Sequence, residues 1–183
     1  MTMATFGPIS TPGSGVTYSA AARSAAVCSM IGAAIHLWVL PSHAREWWVL
    51  GAFFAAAVAA QLFTALMVLR RPHPRFVTVG IVTNLTIALV WLVSRTSGLP
   101  FGPPVLDMTA GLADPARGGY GDHVVGTPEA VGLLDTLATA FGLLTVCALL
   151  ALLPEKSRKR AINLVLFAGL LLWGGYLLLA FTS

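Results

Sequence analysis

Charge is scarce in this sequence. Aspartate, glutamate, lysine and arginine make up 10% of its 183 residues, against about 25% in soluble domains. Hydrophobic residues reach 57% and the mean hydropathy is +0.82. A water-soluble domain of this composition has too few polar side chains to cover its surface, which excludes an ordinary soluble fold. Cysteine is also scarce. Cys28 and Cys147 both fall in apolar runs, so a disulfide scaffold is not expected. No paired CxxC, HExxH, P-loop, nucleophile elbow or dinucleotide fingerprint stands in a suitable context, and the enzyme classes those motifs serve lose their support. No basic stretch precedes a first apolar segment, so no signal peptide is expected. The net charge of +4 comes from basic residues clustered beside apolar runs. That is the pattern of membrane anchors, and no nucleic-acid partner is expected.

What the sequence has is five long apolar runs, at 24–40, 47–69, 76–94, 130–153 and 161–181. Each is near the length that crosses a hydrocarbon layer of ~30 Å as a helix. The expected fold is all-α: an integral membrane bundle of five transmembrane helices (24–183) behind a mobile N-terminal tail (1–23) rich in Gly, Ser, Thr, Ala and Pro. Pro41-Ser42-His43 reads as a tight turn that ends the first span, with Ser42 as N-cap of the second helix. Pro154 to Arg160 reads as a short polar turn. Arg95 to Glu129 is the one long connection, between helices three and four. Thr127-Pro128-Glu129 closes it with a helix start.

Basic residues set the orientation. With the N-terminus inside, the inner side holds Arg23, Arg70, Arg71, Arg75, Lys156, Arg158, Lys159 and Arg160, and the outer side only Arg45, Arg95 and Arg117. This predicts a plasma-membrane protein with a cytoplasmic N-terminus, an outer long loop and an outer C-terminus. Trp38, Trp47, Trp48 and Trp91 fall near outer span ends, where indole rings prefer to sit.

Helical spacing sorts the few polar residues. Ser29, Gly32 and His36 share a face of the first span, as do Asn84, Trp91 and Arg95 of the third and Asp135, Thr139 and Gly142 of the fourth. Gln61 sits mid-way along the second, with Ala57 and Ala65 beside it. Small and polar faces drive helix association in lipid, so these four should point inward, with the leucine-rich fifth span peripheral. Depth places Gln61 level with Asn84, within reach of a structural amide pair. Asp135, an acid in an apolar run, is the most informative residue, because ionisable groups in hydrocarbon are rare and mark sites. It falls near the outer end with Arg95 and His36.

Three readings of this outer level stand side by side. One is an Asp135–Arg95 ion pair with His36 hydrogen-bonded nearby, holding the bundle. Another is a ligand or metal site of His36, His43, Glu46 and Asp135, since imidazoles suit Cu, Zn and haem iron and a carboxylate can complete a set. Pro41 stands between the two histidines and counts against it. The last is a proton or ion path through Asp135 and His36. Asp122, His123 and Glu129 lie in the long outer loop.

From Trp91 through Ser94-Arg95-Thr96-Ser97-Gly98-Leu99-Pro100 to Pro103 the chain resembles an uncharacterised family of small multi-pass bacterial membrane proteins. Residues 24–153 carry the resemblance. It implies an outer His (here His36), a Gln in the second span (Gln61), the Trp91–Pro103 stretch and an Asp opening a later span (Asp135), and it implies no activity.

The function expected from these residues is that of a non-enzymatic membrane protein, an accessory subunit or small-ligand- or metal-binding component with a polar site near the outer face. The alternatives are a small oligomeric transporter or channel and a metal-dependent membrane enzyme. Its expected partners are the lipid bilayer, other membrane subunits or further copies of itself.

Overall fold

The computed structural model describes residues 14–70, 73–96, 98 and 132–167, and its regular structure is helical throughout. Four long helices follow one another: α1 (Ser14–Glu46), α2 (Trp48–Arg70), α3 (Pro74–Thr96) and α4 (Leu133–Leu152). A fifth, α5, is described over 155–167. α1 to α4 are each long and apolar enough to cross a membrane, with mean hydropathies of 1.6 to 2.2 in their most apolar stretches. Most of the expected fifth span, and all of Asp122, His123 and Glu129, lie outside the described residues.

Inside and outside are exchanged relative to a soluble protein. Gln61, Asn84, Thr145 and Ser29 are among the largest fully buried side chains, while Leu37, Trp38, Phe63, Val82 and Leu144 are exposed. Water penalises that arrangement. Hydrocarbon favours it, because lipid gives apolar surface no reason to hide and offers polar groups no partner. The coarse architecture is that of a multi-pass membrane protein.

Among the described residues α1 packs on α2 and α4, and α3 packs on the same two, which makes a ring of four helices. Side-chain contacts fix their directions. Ser29 and His36 of α1 meet Gln61 of α2, Gln61 meets Asn84 of α3, and Arg95 near the end of α3 meets Asp135 near the start of α4. These pairings make an up-down-up-down bundle. Among the described residues one end, where α1 and α3 finish and α2 and α4 begin, is open. The other is sealed by Ala22, Ala25, Val68, Val77, Ile81, Val146, Leu149, Leu152 and Leu153, with Ala161 of α5 packed against them.

Trp47 alone separates α1 from α2. The hairpin is tight enough that a Cβ on Gly51 would lie 2.6 Å from the Cβ and 2.8 Å from the Cα of Ala44, so only glycine fits. Gly98, just past α3, takes φ 71°, the left-handed conformation in which glycine commonly closes a helix.

Several expected boundaries move. α1 begins at Ser14, so the last ten residues of the segment 1–23 are helix and not tail. Pro41 does not end the first span: α1 passes through it to Glu46. A proline removes one backbone donor, but in an apolar surround a broken helix would expose many more. Ser42 is therefore no N-cap, and its Oγ donates to the Val39 carbonyl at 2.6 Å. α4 is described from Leu133, after an extended Gly132, and the expected helix start at Thr127-Pro128-Glu129 lies outside the described residues. The expected polar turn at Pro154 to Arg160 is mostly the first turns of α5: Arg158 N–H donates to the Pro154 carbonyl at 2.9 Å, and Lys159 pairs with Glu155 one turn back at 2.8 Å.

Candidate functional site

A one-way chain of hydrogen bonds crosses the bundle interior. Its far end fixes the rest. The Gly80 carbonyl can only accept, so Asn84 presents its Nδ2 there, at 2.9 Å. That turns Asn84 Oδ1 toward Gln61, whose Nε2 donates to it at 3.2 Å. Gln61 Oε1 is left to accept, and the imidazole Nδ1–H of His36 donates to it at 2.9 Å. The tautomer of His36 follows from this sequence of roles: the proton is on Nδ1 and the Nε2 lone pair is free to accept. Ser29 Oγ adds a bond to the Gln61 carbonyl at 2.8 Å, tying α1 to α2 a second time.

His36 therefore belongs to the amide layer and not to the ion pair. Reading the first span as ending at Leu40 set it too close to the surface. α1 continues to Glu46, which puts His36 about 15 Å from the helix end, and its residue is only 6% exposed. Replacing Gln61 by Leu removes two side-chain bonds and strands His36 Nδ1 and Asn84 Oδ1. Such bonds are individually modest in lipid, so the expected loss is about 1–2 kcal/mol, read from reversible unfolding in mixed micelles. Asn84→Leu added to it should cost less than the sum of the two, because the two residues share a bond.

Nearer the open end, Arg95 Nη2 donates to Asp135 Oδ2 at 2.8 Å. Asp135 stands in the first turn of α4, where the helix's positive end favours a carboxylate. The acid is at a helix mouth, which makes it less costly than an apolar run of 130–153 suggested.

Between the amide layer and the open end lies a cavity of ≈ 220 Å³. His36, His43, Phe53, Phe54, Trp91, Ser94, Arg95, Asp135 and Thr139 line it, together with Val49, Leu50, Ile87 and Val90. Because α1 is continuous, His36 and His43 stand seven residues apart on one helical face, and both meet Phe54 of α2. The His43 ring stacks on Phe54, parallel to within 1° at 4.4 Å, and the His36 ring meets it edge-on at 5.6 Å. His43 Nδ1 is also 3.2 Å from Glu46 Oε2, one turn on.

The metal candidates do not assemble. Among the described residues no three His, Cys, Asp or Glu side chains come together as a metal set. Phe54 lies against both imidazoles, Glu46 is engaged by His43, and Asp135 by Arg95. The readings that needed Cu, Zn or haem bound to these side chains have no support from this geometry.

Sequence reasoning missed Phe54. Phe54 precedes Gln61 by seven residues and so shares its face, a signal that was available. Trp91 was placed near an outer span end and also on the inward face of the third span; it lines the cavity, and its Nε1 is buried with no hydrogen-bond partner. Comparison with protein-family models, curated proteins and solved structures returns no match. The described residues make a ring of four long apolar helices around a polar interior, sealed at one end and hollow at the other.

Proposed function

We propose that this is a multi-pass plasma-membrane protein with a cytoplasmic N-terminus whose open end faces outward and holds a small ligand. It acts as a binding or accessory component, not as an enzyme. The observation that carries the reading is the cavity itself. Aromatic and aliphatic walls with a few convergent polar groups, set between helices of a bundle, are what small-molecule sites are made of. Orientation is supported by the basic residues: Arg70, Arg75, Lys156, Arg158, Lys159 and Arg160 belong to the sealed end, which the positive-inside tendency assigns to the cytoplasm. With α5 as a fifth crossing, the C-terminus lies outside.

A transporter or channel would draw on the same polar chain, from His36 through Gln61 to Asn84. That chain stops at the Gly80 carbonyl, and the sealing cluster beyond it is apolar. The ligand-holding reading is favoured for that reason.

The test is accessibility. In a background with Cys28 and Cys147 replaced by Ala, Thr139→Cys on the cavity wall should react with a membrane-impermeant maleimide added to intact cells. Lys156→Cys at the sealed end should react only after the membrane is opened. The reverse pattern ends the proposal.

A further inference from the structure

Resting on the pocket reading above, we infer that the ligand carries a hydrogen-bond donor on a single small ring, a phenolic O–H or a ring N–H, which it gives to Nε2 of His36.

The floor of the cavity sets the polarity. His36 lines it and is only 6% exposed. Its Nδ1–H is committed to Gln61 Oε1 at 2.9 Å, so its Nε2 carries a lone pair. Among the described residues nothing donates to that nitrogen. Nor is it one of the buried polar atoms that solvent cannot touch, so the cavity that His36 lines opens onto it. A buried acceptor facing a void calls for a donor.

The neighbours do not take that role. Ser94 Oγ donates to the Trp91 carbonyl at 2.8 Å, and Arg95 Nη2 to Asp135 Oδ2 at 2.8 Å. Phe54 meets the His36 ring edge-on at 5.6 Å and has no polar hydrogen to give.

Size and shape limit what brings the donor. The cavity measures ≈ 220 Å³. An apolar protein cavity of ~150 Å³ accepts benzene, so this one scales to one ring with small substituents. Phe53, Phe54, Ile87 and Val90 supply apolar walls against which such a ring can lie. Any water at Nε2 must leave when a ring fills the site. A guest that cannot reproduce the bond of that water loses affinity, and a guest with its own donor does not.

The isomers para-cresol and anisole separate these cases. The first carries an O–H and the second only an ether oxygen. Ethylbenzene, of the same size, carries no oxygen. Binding is read on the full chain in detergent, as protection of Thr139→Cys from a small thiol reagent. Cys28 and Cys147 are replaced by Ala, and each probe is corrected for its partition into empty micelles. The cresol is expected to protect at roughly fivefold lower concentration than anisole or ethylbenzene, the effect of one hydrogen bond. In His36→Asn the amide Nδ2 can keep the bond to Gln61 while the outer ring nitrogen is gone. That variant should bring the cresol to the level of anisole, whose own protection is unchanged. Should it fail to fold, the nitrogen NMR resonance of Nε2 in the protein with His36 intact decides. The cresol should move it to lower frequency, as an accepted hydrogen bond does, and anisole should not. Equal protection by the isomers, an advantage that survives in His36→Asn, or a resonance that the cresol leaves in place overturns the inference. So does protection by none of the probes while Thr139→Cys stays reactive from outside, a result that leaves an open pocket of another ligand class. Loss of outside reactivity altogether instead removes the reading on which this inference rests.

Discussion

Replacing Asp135 by Ala is expected to destabilise the bundle more than any other single change considered. The substitution takes the Asp135 carboxylate away from Arg95, which has only 11% of its side chain exposed. A guanidinium does not shed its proton to escape such a site. Removing one member of a fully buried pair costs about 3–5 kcal/mol. Asp135 keeps 23% of its side chain exposed, so water reaches part of this pair and the expected loss is about 2–4 kcal/mol. The measurement is reversible unfolding in mixed micelles. The control is the double variant Arg95→Leu, Asp135→Leu, which should recover most of the loss because it removes the two charges together. A loss under about 1 kcal/mol for Asp135→Ala is the behaviour of an exposed pair and contradicts the enclosed one described here.

The second large effect is expected at Gly51. A side chain there meets not a flexible neighbour but the Cα of Ala44, 2.8 Å from where its Cβ would stand. Backbone cannot rotate aside as a side chain can. Gly51→Val should therefore push α1 from α2 beside their one-residue link and cost about 2–3 kcal/mol. The displacement falls where His43 stacks on Phe54, so the same variant should speed labelling of Thr139→Cys. Gly142→Ala is the matched control. Its Cβ would meet Asn84 Oδ1 at 3.5 Å, an ordinary contact, and little change in either measurement is expected.

Much of the architecture could be read from the chain alone, for a physical reason. Antiparallel apolar helices with tight turns have little freedom of register, so distance along each span approximates depth. Gln61 could thus be set level with Asn84, and Arg95 near Asp135, before any coordinates. The same arithmetic failed for His36 because it began from the wrong helix end. Proline was read by its behaviour in water, where a broken helix is readily solvated. Among apolar neighbours it is not, and α1 continues through Pro41. That one error separated His36 from its true partner and hid the shared face that brings His43 onto Phe54. The cavity was beyond reach for a different reason: a void is set by how large side chains from three or four helices fail to meet, which no single periodicity records.

The apolar closure at the Ala25–Leu149 end carries one more consequence. For the ligand-holding function proposed above, a vessel with an insulating floor exchanges its contents through the mouth alone, so occupancy would track concentration in one compartment and be blind to the other. Transmembrane voltage drops chiefly across the dry half, and a guest resting near the rim feels little of it. Filling should therefore proceed alike in energised and de-energised cells.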